Sequence, residues 1–208
     1  MPFLVMDLEM TGTTPGWHEI IQIGAVLVDD EWNEKDTYLQ NVYPENEESF
    51  SEPAENVHGL SIHQLQDAPM QYEVLPEFED WVRKGLNRKV PQEETREISK
   101  NLQDVVICGQ SVVNDINFLR FAYEDENMKW PFSFKMVDLF TTSWMMFNIL
   151  KKNGYKAPRS YSLKAVAEHF GLEREGADHN ALEDAQLTAA CFRRLFTMMD
   201  KMKVAEDQ

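Results

Sequence analysis

Residues 3–5 and 20–28 are apolar, β-branched runs, and a turn-prone stretch from Gly12 to Gly16 lies between them. Short apolar runs bounded by turn residues predict two strands joined by a loop or hairpin. A third strand is expected over residues 37–43. The pattern then changes: Tyr72, Leu75, Phe78, Trp81, Val82 and Leu86 recur at helical spacing, which predicts an amphipathic helix with Pro76 near its first turn. Residues 87–101 are polar and charged without periodicity, so a surface loop or an exposed short helix is expected there, with no chemistry assigned to it.

Residues 105–108 read as a buried strand. Ile116, Leu119, Phe121 and Tyr123 continue into a helix that Asn114 or Asp115 opens. A short strand near Met136 and Val137 precedes a core helix over residues 139–150. Residues 162–170, ended by Gly171, and residues 182–199 complete the set as helices, the last with a long apolar stripe. Strands come first and helices then alternate with strands, which predicts an α/β fold with a mixed sheet covered by helices. No internal repeat is found, and length favours one domain over residues 1–200 with a short tail at 201–208.

Composition narrows the function classes. No apolar run approaches the roughly 20 residues of a membrane helix, and the start of the chain lacks the basic-then-apolar order of a secretion signal. A cytoplasmic protein with no membrane partner is expected. Cys108 and Cys191 both lie in apolar segments and read as reduced core residues. The net charge of −16 opposes long-range attraction to a polyanion. The charge is uneven, however. Residues 29–56 hold ten acids against the single cation Lys35, whereas Lys151, Lys152, Lys156, Arg159 and Lys164 occur with no acid among them and with Tyr155 and Tyr161 interleaved. That second stretch has the make-up of a strand-tracking surface, although charge runs are more often plain solvated faces.

Three places carry candidate chemistry. Asp7 and Glu9 end the first strand, and side chains two apart in a strand leave the same face. Unpaired charges in an apolar segment are costly, so a cation such as a divalent metal is expected beside them. Asp115 follows an apolar strand that ends in Gly109, and alone it reads as a helix cap. In Asp178-His179-Asn180-Ala181-Leu182-Glu183-Asp184, Asn180 and Glu183 fit a capping box, which leaves His179 in the entering loop and Asp184 in the first turns of the last helix. Asp138 also follows an apolar run, and an acid opening the helix at Leu139 is the simplest account of it.

In this order Asp7, Glu9, Asp115, His179 and Asp184 resemble the DEDD exonucleases in their histidine-bearing, DnaQ-like (DEDDh) branch. The resemblance covers about residues 3–198, through the stretch from Asp7 to Gly12, Val57-His58-Gly59-Leu60, Gly109 to Leu119, and His179 to Ala185. The first and third stretches look most like oligoribonucleases, the second and fourth like proofreading exonucleases. Gln110, Ser111 and Asn114 stand where proofreading enzymes often have histidine, asparagine and phenylalanine.

The resemblance implies a ribonuclease H-like mixed sheet flanked by helices, two bound Mg²⁺ or Mn²⁺ ions, and hydrolysis of single-stranded DNA or RNA from a free 3′ end, releasing nucleoside 5′-monophosphates. Carboxylates about 4 Å apart repel by roughly 4 kcal/mol at an effective dielectric near 20, and a pair of hard cations relieves this. Asp7 is expected to bridge the ions, with Glu9 and Asp184 on the one holding the attacking water and Asp115 supporting the other. His179 is expected to be the general base. His58 and Leu60 are expected at the terminal nucleotide, Thr11 and the main chain of Met10 and Gly12 at its sugar, and Ser111 at a backbone phosphate. A phosphodiesterase restricted to very short RNA and a catalytically silent nucleic-acid-binding module are the alternatives. The family includes monomers and dimers, so a homodimer is open. No polymerase partner is indicated.

Overall fold

The computed structural model describes residues 1–174 and 180–202. Among these, Phe3–Met10 (β1), Ile20–Val28 (β2) and Glu34–Asn41 (β3) form an antiparallel meander, and Val106–Gly109 (β4) and Met136–Asp138 (β5) add parallel to β1, giving one sheet in the order β3-β2-β1-β4-β5. The α-helices are Glu52–His58 (α1), Gln71–Gly85 (α2), Val113–Asp125 (α3), Leu139–Lys152 (α4), Leu163–Phe170 (α5) and Ala181–Met199 (α6). Tight connections suit the antiparallel half, while the parallel strands need crossovers, and α3 lies in the one between β4 and β5.

Alternation along β1 assigns each side chain to one of two cores. Leu4, Met6 and Leu8 enter a cluster with Phe78 of α2 and Leu119 and Tyr123 of α3. Val5, with Phe3 against it, enters a second cluster with Phe147, Val166, Phe192 and Leu195 from α4, α5 and α6. Asp7 and Glu9 share the parity of Phe3 and Val5, so they leave the sheet on the α6 side. β2 is buried along its whole length because helices cover both its faces.

Several expectations change. The first strand runs on to Met10, so Asp7 and Glu9 sit within it, and the third strand is shifted back to Glu34–Asn41. Pro76 is the sixth residue of α2 and not in its first turn. The short helix α1 falls in the acidic stretch, where no helix was expected. Its ends are local: Ser51 accepts a hydrogen bond from the Ala54 amide at 3.4 Å, and Gly59 closes it at φ +71. α3 begins earlier than expected, with Val112 at its cap, so neither Asn114 nor Asp115 caps it.

Residues 87–101 include a 3-10 segment, Glu93–Ile98, and dock by charge. Arg96 grips both Asp80 oxygens at 2.7 and 3.1 Å, and the fully buried Arg83 meets Glu79 at 2.6 Å and Asp80 at 3.2 Å. A buried guanidinium is tolerable only with such partners. Among the described residues no helix is long and apolar enough to cross a membrane.

Candidate active site

Asp7 and Glu9 stand opposite Gly24 and Gln22 in the β1–β2 register. Those two β2 residues dock α6. The buried Gln22 side chain accepts the Ala181 amide at 2.9 Å. A Cβ on Gly24 would lie 2.1 Å from the Ala181 carbonyl carbon and 2.2 Å from the Leu182 nitrogen, so only glycine lets the helix start rest on the strand. Asn180 caps α6 by accepting the Glu183 amide at 3.0 Å. The next residue, Asp184, is thereby buried on the face from which Asp7 and Glu9 project.

The fourth carboxylate arrives differently. β4 pairs with β1 only from Phe3↔Val106 to Val5↔Cys108, so farther along β1 the β4 side is open. The first turn of α3 fills that opening, and Asp115 Oδ1 accepts the Leu8 amide at 3.1 Å. Asp138 steadies this corner from β5: its Oδ2 accepts the Val112 amide at 3.1 Å, and its Oδ1 caps α4 by accepting the Thr141 amide at 2.8 Å. It is a cap, as its sequence position suggested.

Proximity shows in the acidities. Burial, followed by the charges of Asp115, Glu9 and Asp184, pushes the Asp7 carboxyl well above its ordinary value. Burial and then Asp184 push Glu9 up to about 7. Burial pushes Asp115 to about 7 against the pull of main-chain hydrogen bonds, including that from Leu8. Arg174 lowers both Asp7 and Glu9, and its Nη2 lies 2.7 and 2.8 Å from the two oxygens of Asp184. A cation is thus already drawn to the cluster.

Among the described residues no three such side chains close on one point at metal-ligating distance, with Asp115 turned to the Leu8 amide and Asp184 to Arg174. The donor chemistry nevertheless fits a hard divalent ion. All four groups are carboxylates, the oxygen donors that such an ion prefers.

His179 lies outside the described residues. His58 is buried at the end of α1, where its Nδ1 accepts the Leu60 amide at 3.0 Å and its Nε2 meets no partner among the described residues. Burial lowers its pKa. Leu60 and Met10 are half-buried. Thr11 is buried: its hydroxyl lies 3.0 Å from Ser49 Oγ and accepts the Glu19 amide, its own amide donates to the Glu19 carbonyl, and its carbonyl accepts the Ser51 amide. It ties the end of β1 to the approach to α1. Gly12 makes room for the His18 ring, 2.1 Å from where a Cβ would stand. Ser111 adopts the left-handed conformation, φ +53, beside Asp115.

Sequence reasoning missed Gln22, Gly24 and Arg174. For the first two a signal exists, since a glutamine and a glycine interrupt the apolar run of β2. Arg174 carries no such mark.

The exonuclease family profile (RNase_T) matches residues 4–192. DNA polymerase III subunit epsilon of Aquifex aeolicus is 30% identical over 194 residues, covering 93% of this chain and 79% of that one. DNA polymerase III PolC-type of Thermotoga petrophila is 29% identical over 205 residues, 98% of this chain and 12% of the polymerase, so the chain spans a small part of that relative. The solved nuclease domain of 3′hExo, a DEDDh family member bound to rAMP, superposes with a TM-score of 0.70 at 22% identity, covering 100% of this chain and 97% of that one, and so shares the fold. The family match runs across the stretch that supplies all four carboxylates, and the chain belongs to this exonuclease family.

Proposed function

We propose that this protein hydrolyses the last phosphodiester bond at the 3′ end of single-stranded DNA or RNA and releases nucleoside 5′-monophosphates. The observation that carries the reading is the gathering of Asp7, Glu9, Asp115 and Asp184 from three elements at the end of β1, under mutual repulsion that a cation relieves. Asp7, Glu9 and Asp184 share one side of the sheet and Asp115 reaches in from the β4 side, which suits them to hold a pair of Mg²⁺ or Mn²⁺ ions. Ions so held stabilise the attacking and leaving oxygens of the phosphodiester.

The chain's own groups supply the rest. His179, five residues before Asp184, is assigned from its motif as the acceptor of the proton that leaves the attacking water, a task for an imidazole neutral near pH 7. His58 accepts at Nδ1, so its neutral ring carries the hydrogen on Nε2, a buried donor suited to an oxygen of the terminal nucleotide. Leu60 supplies apolar surface for the terminal base, the main chain of Met10 and Gly12 faces the sugar, and Ser111 a phosphate. Residues 1–200 act as one catalytic domain. The relatives that are a polymerase and a polymerase subunit add a polymerase to the partners worth testing, which the sequence alone did not indicate.

The test is to offer 5′-labelled single strands and duplexes of DNA and RNA with Mg²⁺ or Mn²⁺, with and without chelator. Single strands are expected to give a ladder shortening from the 3′ end that chelator stops. Asp7→Ala and Asp184→Ala should abolish the ladder while the proteins stay folded, and unchanged shortening in either would refute the site. Cleavage confined to RNA of a few nucleotides would convert the reading to an oligoribonuclease, and binding without cleavage to a silent module. His179→Ala should lose most turnover and keep substrate binding, and normal turnover near neutral pH would remove it as the base.

A further inference from the structure

Outside the carboxylate cluster, one strip of surface combines flat exposed rings with cations, the two features that bind a single polynucleotide strand. Phe140 and Trp144 lie four residues apart on one side of α4 and are 46% and 52% exposed, although the opposite side already gives Leu139, Met146, Phe147 and Leu150 to the core. Tyr161 extends the ridge, its ring 6.1 Å from that of Phe140 and edge to face. It also joins the ridge to the site: its carbonyl accepts the Gln110 side-chain amide at 3.1 Å, next to Ser111. α4 starts at this end, since the Asp138 carboxylate that caps it also holds Val112 at the head of α3. The helix therefore leads outward, to exposed Lys151 and Lys152 and to Tyr155, which is 62% exposed.

We propose that this strip binds the strand on the 5′ side of the terminal nucleotide, with bases against Phe140, Trp144 and Tyr155 and phosphates on Lys151 and Lys152. The direction assigned to the strand rests on the exonuclease reading. Charge selects the occupant: residues 151–164 carry five cations and no acid in a chain of net charge −16, and a cationic border on a ring-bearing ridge complements a polyanion. The helix rises about 18 Å from Phe140 to Lys152, the length of roughly five stacked nucleotides at about 3.4 Å each.

The test compares dT3 with dT15, and rU3 with rU15, by fluorescence anisotropy under chelation and by initial rates with Mg²⁺. Wild-type protein should bind each 15-mer at least about tenfold tighter than its 3-mer. Trp144→Ala and the double variant Lys151→Gln/Lys152→Gln should each weaken 15-mer binding by about tenfold and leave 3-mer turnover within about twofold, and Trp144→Phe should restore 15-mer binding. The DNA and RNA arms identify which polymer uses the strip. Two results would overturn the proposal: 15-mer affinity within twofold of wild type in both variants, which would leave the ridge to a protein partner, or equal loss on both lengths. Because binding is read without cleavage, a wild-type protein that holds 15-mers through these residues but shortens nothing would sink the exonuclease reading and not this one.

Discussion

Asp7 and Glu9 alternate along β1 with Met6 and Leu8, and this parity sends the acids toward α6 and the apolar residues toward α2 and α3. Once there, the carboxyls are held less acidic than in the unfolded chain. Folding thus favours their protonated forms. The stability they lend is complete below about pH 4, where the unfolded chain also protonates them, and is lost as pH rises through about 7, the value to which Glu9 and Asp115 are pushed. In metal-free protein Asp7→Asn is therefore expected to raise the melting temperature more at pH 8 than at pH 5.5. Mg²⁺ or Mn²⁺ should produce a similar rise at pH 8 in the wild type. An Asp7→Asn protein that melts like wild type at both values would show that the cluster is not strained by its own charge.

At the scale of elements the decisive contact is the start of α6 on β2. Gly24→Ala places a methyl 2.1 Å from helix main chain, a clash that no side-chain rotation relieves. It should cost at least about 2 kcal/mol in urea unfolding and cut 3′-end shortening at least tenfold, and wild-type values for both would mean that the helix start is free to shift. Periodicity made most elements legible: β2, α2, α5 and α6 follow from their apolar spacing and caps. It could not show α1, whose Glu52–His58 segment is too polar for a stripe and is held by Ser51 and Gly59. Nor could it show residues 87–101 docking, because Arg96 and Arg83 work through ion pairs that leave no period. Of the site, the acids were readable as residue types in order, while the hydrogen bond from Leu8 to Asp115 depends on where β4 stops pairing, which no local pattern records.

Over the whole molecule the acidic balance sets how a polyanion is met. With net charge −16, attraction depends on a few local cations, so single-strand affinity should fall with salt more shallowly than for a basic protein. Each phosphate neutralised contributes a slope of about −0.7 in log K against log salt. Lys151→Gln/Lys152→Gln should flatten the wild-type slope by about 1.4, and an unchanged slope would place the contacts elsewhere. The early parting of β1 and β4 has another consequence. Because the main-chain amide of Leu8 is satisfied by a carboxylate and not by a strand, it is a built-in reporter: in an NMR spectrum its resonance and its exchange with solvent should register each time Asp115 turns from that amide to another partner, whatever the other three acids are doing.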